Sequence, residues 1–109
     1  MRSYKYLSFE TGTTDVVETV VVPDGGEIGL YSVYARKIGG AGSATLKVEG
    51  SFVSDPGAND LLEVQSATSV GTGALTNILG ASEETVFPYL TLTLDRTGSC
   101  AVDVYVTVM

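Results

Sequence analysis

Tyr89-Leu90-Thr91-Leu92-Thr93-Leu94-Asp95-Arg96-Thr97-Gly98-Ser99-Cys100-Ala101-Val102-Asp103-Val104-Tyr105-Val106-Thr107-Val108 alternates apolar and polar residues on both sides of a glycine. In its first half Leu90, Leu92 and Leu94 share one face, and Tyr89, Thr91, Thr93 and Asp95 the other. In its second half Val102, Val104, Val106 and Val108 oppose Asp103, Tyr105 and Thr107. A period of two marks a strand with one face buried and one wet. The β-branched and aromatic content suits strands as well. Thr97-Gly98-Ser99 reads as a short hairpin joining the pair.

The same pattern extends backwards along the chain. Between residues 44 and 53, Leu46, Val48 and Phe52 fall on one face and Thr45, Lys47, Glu49 and Ser51 on the other. Gly39-Gly40-Ala41-Gly42-Ser43 reads as a hairpin tip, Pro23-Asp24-Gly25-Gly26 as a turn, and Asp55-Pro56-Gly57 as the end of a strand. No stretch sustains a helical period over ten residues. The predicted strands lie at about 3–10, 15–22, 27–38, 43–54, 60–66, 73–79, 85–96 and 99–108. Residues 67–84 fit either a short strand between long loops or a single helical turn. About eight strands in 109 residues predict one all-β domain spanning residues 1–109. The expected architecture is a single antiparallel β-sandwich, a jelly roll or another Greek-key type, with a closed barrel as the alternative. Residues 1–10 read as an N-terminal arm or an edge strand.

Composition narrows the chemistry. Thirteen acidic and six basic side chains leave a net charge of −7. Nucleic acids and anionic membranes reward cationic surface, so neither is an expected partner. Histidine is absent and Cys100 is the single cysteine. No imidazole can activate a nucleophile, no disulfide can form within the chain, and zinc has no ligand set. Cys100 alternates with the apolar face and reads as a small buried hydrophobe. Asp55, Asn59 and Asp60 could offer oxygen ligands to calcium, but the same residues are ordinary turn formers. Gly71-Thr72-Gly73 lacks the lysine of a phosphate loop. The sequence therefore predicts no enzyme, no cofactor and no metal. Met1 to Tyr6 lead into no apolar segment, so no secretory signal is expected.

Two features point to contacts with other molecules. Strand 15–22 carries Val16, Val20 and Val22 on one face and Val17 and Val21 on the other, as a strand covered on both sides would. Tyr4 and Tyr6 share a face close to Arg2 and Lys5. Arg2, Tyr4, Tyr6, Val17 and Val21 are the candidate interface residues. Free sheet edges invite pairing, which favours a homo-oligomer. The tyrosines also admit a second reading, a ligand-binding module for carbohydrate or a receptor, since an aromatic ring can pack on a sheet with its hydroxyl wet.

The segment from Glu27 to Met109 resembles small β-sandwich virion proteins of tailed bacteriophages. The likeness is carried by the expected hairpin Tyr31–Gly50, by Asp55-Pro56-Gly57-Ala58-Asn59-Asp60 followed by Leu61-Leu62-Glu63-Val64, and by the ending Phe87-Pro88-Tyr89-Leu90-Thr91-Leu92 with a final valine-alternating hairpin. The resemblance implies a structural role without chemistry, such as capsid decoration or cementing. It implies symmetric oligomers bound to a major capsid protein or another virion protein. The implied location is the virion, assembled in the host cytoplasm.

Overall fold

A computed structural model describes residues 3–22, 31–82 and 87–108. Arg2, the expected turn at Pro23-Asp24-Gly25-Gly26, the first residues of the strand expected from 27, and the last two residues of the segment 67–84 lie outside the described residues. Within them the strands are β1 (Ser3–Gly12), β2 (Val16–Val21), β3 (Tyr31–Gly39), β4 (Ser43–Ser51), β5 (Leu62–Ser69), β6 (Thr76–Ser82), β7 (Tyr89–Thr97) and β8 (Cys100–Val108). They form two four-stranded sheets, in the orders β1-β8-β3-β6 and β2-β7-β4-β5. Every strand pair is antiparallel. The chain is an all-β sandwich.

The pairings show how it is wound. β1 pairs with β8, β2 with β7, β3 with β6 and β4 with β5. That is one long antiparallel hairpin with its bend between β4 and β5. Rolling it up brings β8 onto β3 and β7 onto β4, closing the two sheets. This arrangement is the jelly roll.

The winding corrects two sequence expectations. Thr97-Gly98-Ser99 does not close a hairpin, because β7 and β8 belong to different sheets. Nor does the Gly39–Ser43 segment, for β3 and β4 are separated in the same way. Both are corners between layers. Alternation reports which side of a strand meets the core but not which strand lies beside it. Two strands facing each other across a core therefore carry the same pattern as two strands of a hairpin. A third correction concerns Phe52. β4 ends at Ser51, and Phe52 is 74% exposed, its ring centroid 5.2 Å from that of Phe87. Residues 67–84 contain the end of β5 and the whole of β6, with no helical turn among the described residues. A 3-10 turn occurs instead at Ala58–Asp60, where the Asp60 carboxylate accepts a hydrogen bond from the Gly57 N–H (2.9 Å). Asp60 thus has a turn-forming role.

The core lies between unlike faces. Leu46, Val48, Leu90, Leu92 and Leu94 come from β4 and β7, and Val33, Val102, Val104 and Val106 from β3 and β8; all are fully buried. Each is worth about 1.5–3 kcal/mol on burial. Phe9, Val20 and Ile78 close the flanks from the outer strands β1, β2 and β6. Cys100 is fully buried beside them.

At one end of the sandwich Arg96 ties the corners together. Its Nε donates to the Thr14 carbonyl (2.8 Å), and its Nη1 to the carbonyls of Glu10 (2.7 Å) and Cys100 (2.9 Å). Its backbone N–H donates to Asp15 Oδ1 (2.9 Å). One planar, fixed-fork cation therefore serves three carbonyls from two corners, which a lysine ammonium on a flexible stem does not reproduce. Arg96→Ala is expected to lower stability by about 2 kcal/mol, part of the usual value for charged hydrogen bonds being regained by water at this half-exposed site. Urea denaturation measures the loss, and Arg96→Lys should recover less than half of it.

The β1 and β2 edges are guarded. Lys5 and Glu18 sit at inward-facing register positions, opposite Val106 and Leu92, yet both remain exposed. Inward-pointing charge on an edge strand opposes extension of the sheet by another chain.

Candidate functional site

The outer face of the β1-β8-β3 sheet gathers residues from distant parts of the sequence. Alternation points Val102, Val104 and Val106 inward, so Asp103, Tyr105 and Thr107 point outward. Register then sets their neighbours. Tyr4, Thr107 and Ser32 form one row; Tyr6, Tyr105 and Tyr34 the next; Ser8, Asp103 and Arg36 the third. Asn77 of β6 continues the middle row beyond Tyr34. Every position of the three rows carries a hydroxyl or a charge, and none is aliphatic.

The rings form a connected floor. The centroid of Tyr105 lies 5.0 Å from that of Tyr6 and 6.4 Å from that of Tyr4, both tilted pairs within the favourable range for aromatic contact. Tyr4 is 66% exposed and Tyr6 46%. Asp103 is buried although it faces outward. The Tyr6 hydroxyl donates to its Oδ1 (2.7 Å), and Arg36 Nε stands 3.6 Å from its Oδ2. That separation is an ion pair, too long for a hydrogen bond. Arg36 Nε is shielded from water and makes no hydrogen bond among the described residues.

The hydrogen bond to Asp103 raises the Tyr6 pKa above its ordinary 10.0, because a phenolate would lose the bond and face the carboxylate. A folded-state pKa above the unfolded one gives stability that is complete below the unfolded pKa and is lost as pH rises through the folded one. Tyrosinate absorbance is therefore expected to show Tyr6 ionising late, above pH 10.0. Asp103→Asn should bring that step down.

The expected interface residues fall in different places. Tyr4 and Tyr6 lie on this face. Val17 and Val21, 64% and 63% exposed, point from the opposite outer face, beside Thr93 and Tyr89 of β7. Val20 on the other side of β2 is buried in the core. Between the two exposed valines, Thr19 and Thr91 share a hydrogen bond (2.9 Å). Tyr34, Tyr105, Asp103 and Arg36 were not among the expected residues. The available signal was the shared outward parity of Asp103 and Tyr105, without the register that joins them to β1 and β3. Among the described residues, no group of three or more cysteine, aspartate and glutamate side chains is placed to hold a metal ion.

No family model matches the chain, and no curated protein does. Among solved structures it is similar to a chain in the structure of infectious bursal disease virus, Gt strain, at 13% identity and a TM-score of 0.34. The match covers 96% of this chain and 33% of that one, so the protein spans about a third of the viral chain's length. The jelly-roll assignment rests on strand order and pairing.

Proposed function

We propose that the protein is a non-enzymatic structural component of a virus particle, a decoration or cement subunit that assembles in the host cytoplasm as a homo-oligomer on a major capsid protein or another virion protein. The observation that carries this reading is the jelly-roll winding, an arrangement used by viral capsid domains as well as by lectins and cupins. The sequence resemblance to small phage virion proteins points the same way. A chain without histidine and with one cysteine suits a role without acid–base chemistry.

The exposed face of β2 is the surface best suited to subunit contact. Val17 and Val21 offer apolar area there, whereas Lys5 and Glu18 disfavour pairing through the edges. On β2 contact is therefore expected face-on rather than edge-on. Sedimentation at micromolar concentration, alone and with candidate particles, tests the reading. A discrete oligomer or particle-bound protein is expected, and replacing Val17 and Val21 together by serine should weaken association about tenfold or more. A monomer that binds no particle would overturn the proposal.

A further inference from the structure

We propose that the tyrosine face of the β1-β8-β3 sheet binds an uncharged saccharide. The inference goes beyond the assembly role and does not depend on it. Sugars present two kinds of surface, C–H faces and a rim of hydroxyls. The C–H faces pack on the negative face of an aromatic ring. Tyr4 and Tyr6 supply exposed rings, and Tyr105 joins them into one floor. The hydroxyl rim needs donors and acceptors in the same plane. Ser8, Thr107 and the hydroxyls of Tyr4, Tyr34 and Tyr105 can act as both, the Tyr6 hydroxyl can accept while it donates to Asp103, and the 38%-exposed Arg36 side chain adds donors.

Fixed geometry strengthens the case. The Tyr6 hydroxyl is held by Asp103, so its ring and its lone pairs are set before a ligand arrives. Adjacent strands lie about 4.8 Å apart and successive residues rise about 3.4 Å. The three rows therefore cover about 10 by 14 Å, the footprint of a short oligosaccharide. Charge selects the class. Asp103 and Arg36 cancel, which leaves the rows locally neutral on a chain of net charge −7. An acidic glycan meets repulsion from the body of the protein, and a cation meets no unpaired carboxylate in the rows. Tyrosine and arginine serve protein partners too, so self-association through this face is the competing outcome that the test separates.

The test uses the full chain on an array of neutral, sialylated and sulfated oligosaccharides, followed by NMR titration of the best neutral binder. Binding to neutral members is expected, with shifts centred on Tyr4, Tyr6 and Tyr105. Tyr4→Ala, at an exposed position where folding is undisturbed, should weaken it about tenfold or more. Tyr6→Phe keeps the ring, frees the Asp103 contact and should weaken it less. Val17→Ser, on the opposite face, should leave it unchanged. Binding to no saccharide, binding only to acidic members, or binding that a folded Tyr4→Ala retains would overturn the proposal. So would self-association through this face, seen as oligomers that Tyr4→Ala dissolves and no sugar displaces. Failure to join a particle would overturn the assembly role and leave this result standing.

Discussion

Leu92→Ala is expected to lower the unfolding free energy by about 3 kcal/mol, a large fraction of the stability of a domain this size. Leu92 lies at the middle of β7, opposite Glu18 of β2 on one side and Val48 of β4 on the other. It is fully buried, so the substitution loses the transfer energy of the removed carbons and leaves a cavity. The cavity cannot collapse easily. β7 is hydrogen-bonded along both edges, and the facing layer of Val102, Val104 and Val106 is held by β8 between β1 and β3. Interiors packed to crystal-like density give way only in part. The control is Thr93→Ala, one residue away on the outer face, where a surface change should stay within about 0.5 kcal/mol. Urea denaturation of both variants measures the difference, with the slope unchanged if the fold is retained. A loss below about 1 kcal/mol for Leu92→Ala would mean that the sheets do not pack as described.

The leucine and valine layers were legible because burial leaves a mark on every second residue. Leu90, Leu92, Leu94 and Val102, Val104, Val106 were assigned inward from alternation alone, and all are buried. What alternation omits is adjacency. The Tyr6–Asp103 hydrogen bond joins residues 97 apart in sequence. It depends on β1 lying beside β8 in one particular register, and a shift of one residue would turn every side chain of β1 to the other face. The tyrosine rows could not be read before that register was known. Val17 and Val21 show the same limit from another side. Apolar residues on both sides of a strand signal cover on both sides, yet here one side is core and the other is open. Phe52 continued the alternation of Leu46 and Val48 in sequence, but β4 ends one residue before it. A period cannot show where backbone pairing stops.

The second large effect is expected at the corner between β3 and β4. Gly40 has φ of +84° and Gly73 has φ of +80°, both in the left-handed region. An alanine at either position meets the same backbone penalty, about 1–2 kcal/mol. Their surroundings differ. Nothing lies within 4 Å of a Cβ built on Gly73, whereas one on Gly40 would run into the Ser99 carbonyl oxygen and reach 2.8 Å from the Cys100 Cα. Those are backbone atoms, so no rotamer change relieves the clash, and the β3–β4 and β7–β8 corners would have to separate. That would strain the hydrogen bond that joins the two corners, from the Gly42 N–H to the Ser99 carbonyl (2.8 Å). Gly73→Ala is therefore expected to lose only the backbone penalty. Gly40→Ala should lose about 3 kcal/mol, the penalty plus the cost of forced overpacking. Thermal unfolding of the two variants side by side decides the matter. Equal losses would show that the corners do not touch, and with them would go the layered winding that sends β7 and β8 into different sheets.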